Sequence, residues 1–353
     1  MSYQKRGTSS QRKGFTGLAN LGNTCFLNSV IQVLSHTPEL LQILESVPPI
    51  NPSISANANH ILCYEFKQLV KLMWERNRII APNRFLQVVQ VVSTKKGNDI
   101  FSGYSQNDVS EFLLFLFDAI HLFLAKPAQV SIKGIPESNV DEIAVKCYEH
   151  IRDTYALGYS QIYAKFYGVN FVEILSREDP SIVLSRRFEH YFLIDLPLPP
   201  EEIKSPTIYD CFDHCVLPEL MEGDNEWYNE VTKQKQPVYK KTTFWSFPQV
   251  LIVNLKRYKD AVRKDQRPVD CPIDGILDLS SYSVSYNKQS YRYKLYGVCN
   301  HSGGSILGGH YTSCVSPANS EGEWFQFNDT IITPVDTRTV VSSQTACLFY
   351  RRI

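Results

Sequence analysis

Two kinds of hydrophobic spacing follow one another along this chain, and their order limits the architectures open to it. Before about residue 125 apolar residues recur three and four apart; from about residue 165 they gather in strand-length runs rich in Val, Ile, Phe and Tyr. Helices first and strands later specify an α+β fold rather than an alternating parallel sheet.

The segment 25–44 sets Phe26, Leu27, Val30, Ile31, Leu34, Leu40, Leu41 and Leu44 at helical spacing, with a break around Thr37-Pro38. Asn20-Leu21-Gly22-Asn23-Thr24 precedes it. Gly22 permits a tight turn and Asn23 or Thr24 can cap, so Cys25 is expected in the first turn of a helix. Further helices are expected over 63–75, 83–92 and 105–125, the last opened by a capping-box-like Ser105 and Asp108. Strands are expected over 167–174, 187–196, 238–245, 250–258, 291–299, 310–316 and 324–328. Residues 197–200 and 259–272 read as loops, the second charged and mobile, and 125–163 mixes helical and turn character without an assigned role.

Lys plus Arg and Asp plus Glu each total 36, so no global charge draws the chain to nucleic acid or an anionic membrane, and neither is expected as a partner. A hydrophobic share of 43% excludes a wholly disordered chain. The longest apolar stretch, 109–125, is broken by Ser110, Glu111, Asp118 and His121, so a soluble protein is expected. Residues 1–14 carry Lys5, Arg6, Arg12 and Lys13 but no apolar core of a secretory signal. They read as a flexible basic tail, with a targeting or nucleic-acid arm as the alternative. Nine scattered cysteines suit reduced thiols in the cytoplasm or nucleus. Cys211 and Cys215, beside Asp213 and His214, invite a zinc reading, but no second pair lies near them and packing on one helix face is preferred.

A cysteine at a helix start faces unpaired N–H groups and the positive end of the helix dipole, which favours thiolate; a small buried hydrophobe is the plain alternative. A thiol nucleophile needs an imidazole base and a group to orient it, brought from distant sequence. His310 follows Gly308-Gly309 at a loop-to-strand junction, where glycines let a substrate backbone approach closely. Asn328, closing the alternating Trp324-Phe325-Gln326-Phe327 run, can accept from the imidazole N–H and fix its tautomer. Each residue alone also has a structural reading.

Taken together, these blocks resemble the ubiquitin-specific proteases. Residues 17–29, Gly-Leu-Ala-Asn-Leu-Gly-Asn-Thr-Cys-Phe-Leu-Asn-Ser, are similar to that family's cysteine box, and Tyr296-Gly297-Val298 through His301-Ser302-Gly303 to Gly308-Gly309-His310-Tyr311 to its histidine box. Trp324 to Asp329, Gln106-Asn107-Asp108-Val109-Ser110-Glu111-Phe112, the run Leu251 to Tyr258 and Ala346 to Tyr350 fit in order, so the resemblance covers 15–353. It implies a papain-like right hand: a helical thumb over about 15–160, β-rich fingers within about 165–250 and a mixed palm over about 251–353. It implies Cys25 as nucleophile on the carbonyl after the last glycine of ubiquitin, His310 as proton carrier, Asn328 where many members have Asp, and Asp329 as helper. Asn20 matches the residue whose amide helps the Cys25 N–H hold the oxyanion. Gln106, Asp108 and Glu111 match positions that receive the basic ubiquitin tail; from the residues alone, the two acids also read as favourable charge at a helix start. Tyr258, His301, Gly308, Gly309 and Tyr311 would line the narrow channel.

Members often carry two Cys-x-x-Cys pairs in the fingers, but the aligned positions here are Ser176, Asp179, Asn229 and Thr232, so no metal and no cofactor is expected. The implied activity is a zinc-free deubiquitinating thiol isopeptidase acting on ubiquitinated proteins, with a separate activating protein as a possible partner; no oligomeric state follows. The rivals are a silent ubiquitin-binding module, a protease for another ubiquitin-like modifier and, last, a general endopeptidase.

Overall fold

The amphipathic amino-terminal stretches form helices α1 (Cys25–Ser35), α2 (Pro38–Glu45), α3 (Ala58–Glu75), α4 (Asn83–Lys95) and α5 (Val109–Leu124), then α6 (Asn139–Leu157) and α7 (Gln161–Phe166). This is a computed structural model describing residues 13–51, 57–97, 99–103, 105–258, 263–285, 290–305, 308–320 and 322–353. Most of the basic tail and residues 259–262 of the charged loop therefore lie outside the described residues. Helix α1 is buried along its whole length. It stops at Ser35, and Pro38, whose missing N–H is harmless at a helix start, opens α2.

Two short strands, β1 (Gly17–Leu18) and β2 (Ile79–Ile80), pair in parallel beside the thumb. The rest follow residue 167: β3 (Gly168–Ser176), β4 (Val183–Tyr191), β5 (Ile194–Pro197), helix α8 (Ile208–Cys215), β6 (Glu219–Met221), β7 (Trp227–Asn229), β8 (Gln234–Gln236), β9 (Val238–Ser246), β10 (Val250–Lys256), β11 (Leu277–Asp278), β12 (Arg292–Ser305), β13 (Gly308–Val315), β14 (Trp324–Asn328), β15 (Ile331–Val335) and β16 (Thr345–Arg352). The fingers sheet has the order β4-β3-β9-β6, and the palm sheet β15-β14-β13-β12-β16-β10-β5, with β11 on β12.

Strand alternation sends neighbouring residues into different cores. Val250, Ile252, Cys299 and Phe349 face the thumb with Leu27, Val30 and Ile31 of α1. Leu251, Val253, Val298 and Leu348 point the other way, onto Ile208 and Phe212 of α8. A third core joins Ala144 and Cys147 of α6 to Val169, Phe171, Phe188 and Trp245 of the fingers. Lys126 and Tyr159 close the base of this excursion with reciprocal backbone bonds of 2.9 and 2.8 Å. The unassigned stretch 125–163 is thus a helical brace packed on the fingers sheet.

Three local expectations change. The helix expected from Ser105 begins at Val109, because the Asp108 carboxylate takes the Ser110 N–H at 2.7 Å and makes Asp108, not Ser105, the cap. The strand expected over 187–196 divides into β4 and β5 in different sheets: Tyr191 enters the palm–α8 core, while Phe192 enters the thumb core against Phe117, with ring centroids 4.3 Å apart. Thr24 stands at the N-cap of α1 but makes no side-chain cap bond; its hydroxyl accepts the Leu21 N–H at 2.9 Å.

Candidate active site

The turn before α1 is built by Asn20. Its Oδ1 accepts the N–H groups of Gly22 and Thr24, both at 3.1 Å, while Gly22 and Asn23 take positive φ of +100° and +53°. The tight turn delivers Cys25 to the first position of α1, 2% exposed. Burial pushes its thiol up, and the Asp329 carboxylate pushes the same way; hydrogen bonds from the backbone of Tyr311, Phe26 and Cys25 itself pull it partly back. Burial and Asp329 thus oppose the thiolate preference expected from the helix end.

The candidate base is carried by the palm. His310 on β13 holds Asn328 at the end of β14, with Nε2 to Oδ1 at 2.7 Å. An amide oxygen only accepts, so Nε2 carries the proton and Nδ1 is left as the basic nitrogen. Asp329 follows at a φ of +50°, its Oδ2 3.9 Å from the same Nε2. Asn20 Nδ2 donates to Asp329 Oδ2 at 3.1 Å, tying the turn before Cys25 to the turn after Asn328.

Beside this centre lies a cleft of about 290 Å³ whose walls include Asp108, Glu111, Tyr258, His301 and Tyr311. Tyr311 donates to Asp108 at 3.3 Å, and Tyr258 shares a 2.9 Å bond with His301 Nδ1. Burial first, then the nearby Lys264 ammonium, bring His301 down to about 4, so its ring is neutral at ordinary pH. Burial and then Asp108 push the Glu111 carboxyl up. Gln106 donates to the Gly309 carbonyl at 2.6 Å, bringing the start of α5 to the residue before His310. Gly309 has no room for a side chain, since a Cβ would lie 2.6 Å from Ser302 O and collide with the His301 ring. Gly308, exposed, opposes Ser305 where β12 and β13 meet.

Two cleft residues escaped the sequence reading. Asp195 is the exposed acid between buried Ile194 and Leu196 on β5, a signal that alternation could have shown. Lys264 gave no signal: it comes from the charged loop and donates to the His301 carbonyl at 2.6 Å, its ammonium brought down to about 8 by burial and Arg257. At the fingers, Asp179 accepts from Ser181 N at 2.9 Å and Asn229 from Val231 N at 2.9 Å, so these zinc-position residues shape turns. Ser176 ends β3, and the Thr232 N–H lies 3.3 Å from Asn229 Oδ1. Cys211 and Cys215 share α8. Among the described residues no three His, Cys, Asp or Glu side chains group as a metal site.

A cysteine on a buried helix beside a strand-borne His–Asn pair, in a thumb, palm and fingers architecture, defines a papain-like fold. The family model described as ubiquitin carboxyl-terminal hydrolase matches residues 16–350, and the chain belongs to that family. It is 30% identical over 355 residues to ubiquitin carboxyl-terminal hydrolase 2 of Rattus norvegicus, covering 97% of this chain and 54% of that protein. Against the Gallus gallus protein of the same name it is 30% identical, over 96% of this chain and 93% of the relative. The chain spans about half the length of the rat, human and bovine relatives it matches. A SAGA DUB module of Ubp8, Sgf11, Sus1 and Sgf73 bound to monoubiquitin shares the fold, with a TM-score of 0.68 at 19% identity over 98% of this chain and 71% of that one.

Proposed function

We propose that this chain hydrolyses the peptide or isopeptide bond after the terminal glycine of ubiquitin, with Cys25 as nucleophile. The observation that carries the reading is the 2.7 Å His310–Asn328 bond, which leaves the basic Nδ1 of His310 for a thiol at the adjoining helix start. His310 takes the Cys25 proton as sulfur adds to the carbonyl, then gives it to the departing amine; water completes the cycle through the same nitrogen. The Cys25 N–H at the helix start and the amide of Asn20 receive the developing oxyanion, where losing one donor costs about 3 kcal/mol in the barrier. Asp108, Glu111 and Asp195, set in the cleft beside Lys256, Arg257 and Lys264, supply carboxylates suited to a basic extended tail.

The SAGA module's monoubiquitin and its additional subunits support ubiquitin as ligand and a protein partner as activator. Nine free cysteines suit a reducing compartment, cytoplasm or nucleus. The test is release of a fluorophore from the ubiquitin C-terminus by wild type and Cys25→Ala. Turnover abolished by the substitution, with ubiquitin binding retained, is expected. Binding without turnover in the wild type, even with candidate partners added, would identify a silent ubiquitin receptor, and neither would point to another modifier.

A further inference from the structure

Asn28 sits one turn beyond Cys25 on α1 and is 2% exposed. Its Nδ2 donates to Asp329 Oδ1 at 2.8 Å, with longer contacts of 3.4 and 3.3 Å to the carbonyls of Leu18 and Ala19. The other Asp329 oxygen takes the Asn20 amide at 3.1 Å, and its main-chain carbonyl takes the Leu18 N–H at 2.9 Å. The carboxylate is thus gripped by two neutral amides, one on the nucleophile's helix and one in the turn before it.

We propose that Asn28 is a positioning residue for the Cys25 and His310 chemistry, acting by fixing the Asp329 carboxylate; the inference rests on the hydrolase reading above. With Oδ1 pinned by Asn28, Oδ2 is directed at Asn20 and stays 3.9 Å from His310 Nε2, leaving that N–H to Asn328. Without the Asn28 donor the carboxylate can turn about its side-chain torsions. It then competes with Asn328 for the imidazole N–H and releases the Asn20 amide from its orientation. The Asn28 amide bonds Asp329, Leu18 and Ala19, none of which lines the cleft of Asp108, Glu111, Tyr258 and His301, so the loss falls on kcat and not on KM. A mere structural tie through Leu18 and Ala19 would lower stability alone.

The test measures fluorophore release from ubiquitin across pH 5.5–8 for wild type, Asn28→Ala and Asn28→Asp, with thermal melts. Asn28→Ala is expected to lower kcat about tenfold or more with KM within about twofold. In Asn28→Asp the new carboxylate repels Asp329 at pH 8; the titratable groups around this pair are Cys25 on α1 and His310 on β13. As pH falls the two carboxyls share one proton, an O–H replaces the lost N–H, and activity relative to wild type rises about fivefold. A ratio flat with pH, or a folded Asn28→Ala with wild-type kcat, overturns the proposal. A wild type that releases nothing defeats the function instead. The positioning claim is then read from the His310 titration by NMR: a midpoint moved by Asn28→Ala upholds it and an unmoved one overturns it.

Discussion

Gly17 touches none of the reacting atoms, yet its replacement by Ala is expected to cripple turnover. A Cβ at this position would lie 2.6, 2.8 and 2.9 Å from the O, Cα and C atoms of Thr330. Ordinary contact begins near 3.4 Å, so about 0.8 Å must be found, and every atom in the way is backbone. Strand β1 has little freedom to recede, because Gly17 pairs with Ile79 and its N–H is held by Arg78 O at 2.9 Å. The displacement therefore passes to Thr330 and to Asp329 before it, whose carbonyl holds the Leu18 N–H and whose carboxylate orients Asn20. A misplacement approaching 1 Å at such a centre costs on the order of 100-fold in rate, whereas overpacking costs about 1–3 kcal/mol of stability. Gly17→Ala should thus fold, melt at a lower temperature and lose kcat about 30- to 100-fold with KM little changed. Gly103→Ala, where a Cβ meets nothing within 4 Å, is the control. Steady-state kinetics of fluorophore release beside a thermal melt decide it: a folded Gly17→Ala with kcat within threefold of wild type would refute the reasoning.

Glu111→Gln removes one carboxylate from the cleft and should raise KM about two- to fivefold at constant kcat; an unchanged KM would overturn the proposed role of Glu111 in tail binding. Asp108→Asn is the less clean probe, since Asp108 also caps α5. Lys264→Met vacates the cleft, and losing a charged hydrogen bond of about 1.5–3 kcal/mol from the unliganded form should lower KM about tenfold. With the Lys264 ammonium at about 8, raising pH from 7 to 9 should reproduce part of that gain in wild type and none in the variant. His190 bonds His150 at 3.0 Å under α6, and burial and then His150 hold it down to about 4. The unfolded chain protonates it near 6.5, so its contribution is intact above that pH and falls by at most about 1.4 kcal/mol per unit between 6.5 and 4. His190→Phe should accordingly lose less melting temperature than wild type between pH 7 and 5; equal losses would count against the assignment.

What the sequence made legible was chemistry with a local signature. Cys25 follows a turn that needs Gly22, His310 follows two glycines, and Asn328 closes an alternating strand, so residue type and spacing raised all three as candidates, and the fold pairs His310 with Asn328 at 2.7 Å. The start of α5 was missed because Ser105 and Asp108 are both competent caps. The choice is made through space, where Gln106 holds Gly309 and Tyr311 reaches Asp108. The position of β16 was also illegible: its residues were recognisable, but their insertion between β12 and β10 depends on long-range pairings such as Asn300 with Thr345 and Val250 with Arg351, which no local pattern records.

The same distinction explains why Asp329 and Asn28 matter. Asp329 adopts a φ of +50°, unusual for a residue with a side chain, and such a conformation persists where surrounding contacts fix it. Those contacts come from α1, from the turn before it and from β1, three segments that are close in sequence to Cys25 and about 300 residues from Asp329. Helix α1, buried end to end, makes the connection stiff. Thumb and palm thus meet beside the chemistry at the Asp329 carboxylate, with the Gln106–Gly309 and Tyr311–Asp108 bonds at its other side. Small changes on either side of that junction should therefore reach turnover before they reach ubiquitin binding, an ordering that both Gly17→Ala and Asn28→Ala expose.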